Sequence, residues 1–439
     1  MTTQLIDEHE FRRLADVVMA ASTADHTIVS LNDSDGGTTR FANNQIVQNV
    51  NARRYALSVS VAFGHKSGSA GTNVLSDGAI RDTVAQAEKI AKLAPEDPEY
   101  LSPLEQQHYP VLPTRRAETA DASPERRIEL AAGAVRQCRA AGINGAGIVD
   151  AYTSAAGVAA SSGLFAYEQR TRATFSLTAT AEDSTGWVRN ANRSIDDLGV
   201  DERTRVAIEK AKASAGPTEI PAGKYTVILE PAAVAGLIGP LFRAARAKSV
   251  EHGTSPLSGK LGEEIIDPRL TLKNHPEHPS LLAGTFDSRG VATDFRTWIR
   301  GGVLEQLNYD RFTAKQEGVP LNGPLNAPRL SGDGAADSTD ALVRSTERGV
   351  LVTNFWYIRS SNPRDLTLTG MTRDGTFLIE DGKLSGGLIN FRFHESPLRA
   401  FNQVEAFTEP MDAITMERGK MMLPAMKIRD FNFSSVTRF

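Results

Sequence analysis

Few side chains in this sequence can bind a metal or act as a nucleophile, so their spacing decides what chemistry is open to them. His275-Pro276-Glu277-His278 offers two imidazoles and a carboxylate within four residues, with His252 or Asp287 as a further ligand. Asn274 and Pro279 flank it as turn formers, which predicts an exposed, solvated loop. His394-Glu395 opens like a zinc-protease helix, but Ser396-Pro397-Leu398-Arg399 brings no second histidine and sets a proline against the helix. Cys138, the single cysteine, sits in a helical pattern; with no base beside it, it reads as a structural residue rather than a nucleophile. Ser67-Gly68-Ser69-Ala70-Gly71 reads as a flexible loop, and Gly332-Asp333-Gly334-Ala335-Ala336-Asp337 lacks the third glycine of a dinucleotide loop.

Two other groups are candidates for binding. Arg243, Arg246 and Lys248 lie along one helical stretch and suit either a carboxylate ligand or a solvated helix face. Asn354-Phe355-Trp356-Tyr357-Ile358 is the most aromatic run and fits either a core strand or an edge strand that pairs with an extended peptide.

The elements that must position these groups can be read from periodicity. Leu5 to Met19 has helical spacing; Thr27 to Leu31 is a short strand ending at the turn-forming cluster Asn32 to Gly37; Arg54 to Phe63 alternates as a strand; Asp77 to Leu93 is helical. The order then repeats. A helix starts at Ser123-Pro124-Glu125 and runs to Ala140, strands follow at Ile143 to Tyr152 and Arg172 to Ala181 around a turn at Ser161-Ser162-Gly163, and Asp201 to Ala213 closes as a helix. The repeat predicts an internal duplication of an α+β unit. Ala215 to Gly223 reads as a connection, placing an α+β domain over 1–220 and a second domain over 221–439. In the latter, Tyr225 to Leu229 is a strand and Ala232 to Val250 the one long helix. Short β-like runs follow at Gly349 to Ile358, Leu366 to Gly370, Thr376 to Ile379, Gly387 to Phe393 and Ala425 to Phe433. The fold class expected is α+β with a β-rich C-terminal domain.

Composition narrows the function. With 439 residues the chain has room for two or three cores. A net charge of −4, from 49 basic and 53 acidic residues without a basic stripe, argues against nucleic-acid binding. One thiol excludes an intramolecular disulfide framework, and the polar start from Met1 to Arg13 carries no apolar signal segment. No run is long and apolar enough to span a bilayer. These features predict a cytoplasmic protein.

The helix from Pro231 to Val250 followed by Gly253 to Glu263, then Phe286 to Thr293, Gly301-Gly302-Val303-Leu304 and Gly375 to Leu384, together resemble the TldD/PmbA family; Arg40 to Asn44 carries the resemblance into the first half. It implies a two-domain chain that dimerises with itself or with a zinc-bearing TldD-like subunit, in a complex that hydrolyses short or unfolded peptides. Catalytic members carry H-E-x-x-x-H on the helix before the glycine-threonine segment and a cysteine near the C-terminus, a set that holds zinc with one position open. Here the first, second and last positions of that motif fall on Ile238, Gly239 and Arg243, no histidine occurs from Pro221 to Glu251, and no cysteine follows Cys138. The resemblance therefore implies the TldE (PmbA) branch, with no catalytic or metal-binding residue in this chain and zinc in a TldD-like partner. Arg243, Arg246, Lys248, Asn354, Trp356 and Tyr357 are then the candidates for peptide or partner binding. Two other readings stay open: a stand-alone peptide-binding or scaffolding protein, and a hydrolase using a different metal site around His275 and His278.

Overall fold

The computed structural model describes residues 5–414 and 419–437, so Met1 to Gln4 of the polar start lie outside the described residues. The first half runs α1 (Glu8–Ala21), β1 (His26–Ala42), β2 (Gln45–Phe63), β3 (Lys66–Thr72), α2 (Asp77–Leu93), α3 (Ala117–Ala120), α4 (Pro124–Ala140), β4 (Asn144–Ala160), β5 (Phe165–Thr180), β6 (Thr185–Asn192) and α5 (Val200–Ala213). Its strands form one antiparallel sheet in the order β3-β2-β1-β4-β5-β6. Helix, three strands, helix thus occurs twice, and the strand order reads alike outward from the central β1–β4 pair. That is the duplication expected from the sequence. The helices cover one face. Phe11, Leu14 and Val18 of α1 and Ile80, Val84 and Ala87 of α2 pack on Val29, Leu31, Leu57 and Val59, while Ala131, Ala134 and Cys138 of α4 pack on Val149 and Phe175.

Three local expectations need correction. The cluster Asn32 to Gly37 is not a turn but the middle of β1. Its polar residues are accommodated in place: Asp33 is buried, accepts from the Ile6 N–H at 2.8 Å, and is held by Arg53 Nη2 at 2.8 Å. Gly36 and Gly37 serve close strand packing, since a Cβ would lie 2.1 Å from the carbonyl oxygen of Ala151 or Val50. The reversal comes at Asn43-Asn44, whose φ values of 51° and 56° suit a tight hairpin. Ser67 to Gly71 belongs to β3 rather than a loop, and a Cβ on Gly68 would lie 2.5 Å from the Ala87 carbonyl of α2. Lastly, the long helix of the second half is two helices, with Ala245 and Arg246 between them.

The second half contains β7 (Gly223–Leu229), α6 (Pro231–Ala244), α7 (Ala247–Glu251), β8 (Leu270–Asn274), β9 (Thr297–Arg300), β10 (Val303–Leu304), α8 (Arg311–Glu317), β11 (Pro328–Gly332), α9 (Thr339–Arg344), β12 (Arg348–Asn362), β13 (Thr367–Glu380), β14 (Lys383–Gly387), β15 (Phe391–Glu395), α10 (Pro397–Phe401), β16 (Val404–Phe407), β17 (Met411–Ala413), β18 (Met421–Leu423) and β19 (Met426–Val436). One sheet runs β10-β9-β8-β11-β18-β17. The other runs β12-β7-β19-β15-β13-β14, and a β12–β13 pairing closes its first five strands into a ring. Leu366 to Gly370 and Thr376 to Ile379, expected as separate runs, largely merge in β13, which bends at Asp374 (φ 58°) and Gly375 (φ 123°). The main core fills the space between α6 and these sheets.

The halves meet through polar contacts. Lys420 Nζ donates to the Ala191 carbonyl at 2.7 Å and pairs with Asp412 at 2.9 Å, Tyr109 donates to the Gly290 carbonyl at 2.9 Å, and Thr185 Oγ1 donates to Asp374 Oδ1 at 3.0 Å. Among the described residues no helix is long and apolar enough to cross a membrane.

Candidate functional site

Helix α6 follows β7 after a single residue and opens with Pro231 at its first position, where a missing N–H costs nothing. It reads Pro-Ala-Ala-Val-Ala-Gly-Leu-Ile-Gly-Pro-Leu-Phe-Arg-Ala, and Ala233 to Leu241 are all buried. Gly236 lets it approach β12 closely, since a Cβ there would stand 2.8 Å from Ile358 Cδ1. The motif-equivalent positions differ in surroundings: Ile238 is fully buried, Gly239 is buried, and Arg243 is exposed at the C-terminal end. Zinc needs a neutral imidazole, a thiolate or a carboxylate, and α6 supplies none. The residues here do not fit the metal.

What the end of this helix does form is a cationic cavity. Arg246, between α6 and α7, and Lys248 on α7 line a space of about 670 Å³ together with Arg289 and Arg311. Its floor is held by backbone bonds, Ala247 N–H to the Asn308 carbonyl at 2.9 Å and Asn308 N–H to the Ala245 carbonyl at 2.7 Å. The segment between α2 and α3 reaches across from the first half: Glu99 pairs with Lys248, and Ser102 offers its carbonyl to Arg311. Burial holds the Arg311 guanidinium below its ordinary pKa. Phe242, Val291, Trp298 and Leu325 supply apolar wall. Arg246 and Lys248 are therefore brought together, whereas Arg243, Asn354, Trp356 and Tyr357 do not line this cavity.

The aromatic run lies on β12. Asn354 is buried and its Oδ1 accepts no hydrogen bond, so it faces inward rather than toward a ligand. Phe355 is a core residue, its ring 4.5 Å from that of Phe393. Trp356 and Tyr357 are exposed, and Arg373 and Arg359 cover their rings at 4.4 Å and 4.2 Å. The core reading holds for Phe355, and β12 pairs with both β7 and β13. Tyr357 has φ 57° and the β12–β13 register shifts between Trp356 and Arg359, an irregularity of the kind that blunts a strand edge.

The remaining candidates hold no assembled site. His275 and His278 meet ring to ring at 5.4 Å, and burial lowers both pKa values, favouring neutral imidazoles. Their loop is less exposed than its flanking residues suggest, because Asn274 and Pro276 are buried. Among the described residues no group of three His, Cys, Asp or Glu side chains is placed to hold a metal. His394 lies on a strand, with Nε2 3.1 Å from Ser361 Oγ, and Glu395 beside it is buried and paired with Arg399. Cys138 is fully buried in α4, and desolvation pushes its thiol up to about 11. Arg289, Arg311 and Trp298 escaped the sequence reading because they come from separate segments with no periodic relation to α6.

Comparison with known proteins settles the relationship. Sequence profiles for the PmbA/TldA metallopeptidase match in order: domain 1 over residues 29–91, the central domain over 117–215 and the C-terminal domain over 222–435. The chain belongs to the PmbA/TldD family. Among its relatives in the family, Metalloprotease PmbA of Escherichia coli O157:H7 is 28% identical over 313 residues, covering 68% of this chain and 69% of that protein. The Metalloprotease TldD homolog of Haemophilus influenzae is 23% identical over 236 residues, 49% of this chain and 45% of that one. The crystal structure of TldE from Thermococcus kodakarensis superposes with a TM-score of 0.87 at 20% identity, covering 96% of this chain and 99% of that one. That of a protein described as a putative modulator of a DNA gyrase, from Thermotoga maritima, gives 0.86 at 20% identity, covering 96% and 99%. At this identity the superpositions speak for the PmbA/TldD fold alone.

Proposed function

We propose that this chain is a TldE/PmbA-like, non-catalytic subunit that joins a zinc-bearing TldD-like subunit, or a second copy of itself, in a complex that cleaves short or unfolded peptides. The observation carrying this reading is the donor-free α6. The helix that would bring imidazoles and a carboxylate to a metal presents buried aliphatic residues at Ile238 and Leu241, and an exposed guanidinium at Arg243. Without a ligand set α6 offers no metal by which to polarise a carbonyl or lower the pKa of water. Its contribution is instead shape and charge: walls for an enclosed peptide chamber, with Arg243, Arg246, Lys248, Trp356 and Tyr357 as candidate contacts to peptide or partner. We assign residues 1–220 and 221–439 to two domains and place the protein in the cytoplasm, in keeping with its lone, reduced thiol.

The test combines metal content with activity. The tag-free chain, measured by elemental mass spectrometry, should hold well below one zinc and should not cleave an unstructured peptide by itself. Mixed with a TldD-like subunit, it should co-elute and support cleavage. About one tightly held zinc per chain, with peptidase activity that His275→Ala and His278→Ala abolish, would transfer catalysis to this chain.

A further inference from the structure

We infer that the cavity at the α6–α7 junction is a receptor for the free C-terminal carboxylate of a peptide whose last side chain is apolar. The inference rests on the reading that this protein handles peptides, and it names the part of the peptide that this subunit holds.

The argument starts from which charges are free. Lys248 is paired with Glu99, and Arg311 donates to the Ser102 carbonyl. The carboxylates of the lining are engaged as well: Asp287 Oδ1 accepts from the N–H groups of Arg289 and Val291 at 2.8 and 2.9 Å, and Asp310 Oδ1 caps α8 through the Thr313 N–H at 2.9 Å. Arg246 and Arg289 are exposed and, among the described residues, make no ion pair. Two guanidiniums thus border one concave space without an ion-pair partner among the described residues, against the two carboxylates Asp287 and Asp310 that backbone N–H groups hold. A guanidinium presents paired N–H donors that match a carboxylate.

The apolar part of the lining bears on the rest of the ligand. Phe242, Val291 and Leu325 line the same space, as does Trp298, which is 3% exposed and whose indole N–H has no acceptor within the fold. A bare anion would leave that wall in contact with water. A C-terminal residue carries its carboxylate one bond from the Cα that bears the side chain, so charge and apolar surface arrive together in one cavity. A volume of about 670 Å³ accommodates one or two such residues, within the range of ordinary ligand pockets. The frame is rigid where it matters, because the Asn308 backbone ties the α6–α7 junction on both sides.

The experiment is isothermal titration of the full chain with acetyl-Ala-Ala-Leu as the free acid, with the same peptide as its C-terminal amide, and with inorganic phosphate. The free acid should bind with a Kd of about 1 mM or tighter, and the amide about tenfold more weakly or not at all. Arg246→Gln and Arg289→Gln should each weaken the free acid by about tenfold while leaving the melting temperature unchanged, since both side chains are exposed and unpaired. Equal binding of acid and amide, no binding of the acid, or acid binding untouched by both variants would overturn the inference. Phosphate binding as tight as the peptide would also overturn it, by reducing the cavity to a bare anion site. None of these outcomes bears on zinc content, so the non-catalytic assignment stands or falls separately.

Discussion

Replacing Ile238 by His puts an imidazole where the proposed alignment sets the first histidine of the family's metal motif, and we expect it to damage the fold without bringing zinc. Ile238 is fully solvent-excluded within the main core, which also contains Val234, Leu237, Leu241 and Phe355. Removing the isoleucine forfeits about 1.5–3 kcal/mol of apolar burial. The imidazole then needs partners for two ring nitrogens in a region where α6 offers only aliphatic side chains, and each unmet hydrogen bond costs about 1–3 kcal/mol. Strain relief and partial solvation recover some of this, leaving a net destabilisation of about 3–5 kcal/mol. For a domain of this size that lowers the melting temperature by roughly 6–20 °C. Arg243→His, at the exposed end of the same helix, should change stability by less than about 0.5 kcal/mol. Thermal melts followed by circular dichroism, paired with elemental analysis, read both effects. An Ile238→His variant that melts with the parent and gains zinc would refute the reasoning, because the helix would then be a dormant metal site rather than a packing element.

Other expectations follow from buried ionisable groups. The Cys138 thiol, pushed up to about 11 by burial, should react with iodoacetamide at pH 8 at least about a hundredfold more slowly in the native chain than in urea, as read by intact-mass spectrometry. Because its folded pKa lies above the ordinary thiol value of 9.0, the associated stability is complete below that pH and declines as pH rises toward 11. Asp374 is held above the ordinary carboxylate range by desolvation, against the opposing pull of Arg373. The penalty of ionising it in the fold is absent below pH 3.8 and grows as pH rises through the folded pKa, so Asp374→Asn should raise the melting temperature at pH 7 but not at pH 3.5. Asparagine keeps the acceptor for Thr185 and tolerates φ 58°, and an unchanged or lower melting temperature at pH 7 would contradict the account.

The elements legible in the sequence were those whose burial is one-sided. Asp77–Leu93 and Pro124–Ala140 occur with the expected bounds because a helical stripe, a serine cap and a terminating residue all agree there. The strands were found but drawn short, and β1 shows why. Turn formers such as Asn32, Asp33 and Gly36 are read as local punctuation, yet in a six-stranded sheet a glycine also answers to a neighbouring carbonyl 2.1 Å from where its Cβ would be, and a buried aspartate answers to an arginine twenty residues away. Such long-range demands leave no periodic trace. The cationic cavity was half legible for the same reason. Arg246 and Lys248 share a helical stretch and stood out, whereas Arg289 and Trp298 reach the cavity only through the fold.

Helix α6 packs on its surroundings through Gly236 and leaves its last turn exposed, so its middle needs only residues that fill the core. Ile238 is such a packing residue, and with Leu241 it lies in the main core. The exposed turn is under no such constraint, and there the sequence has arginines where packing asks for nothing in particular: Arg243 and Arg246 stand at the one end of the helix that remains open to a ligand or a partner. The middle of α6 serves packing, and the charge at its end is what the helix leaves open to recognition.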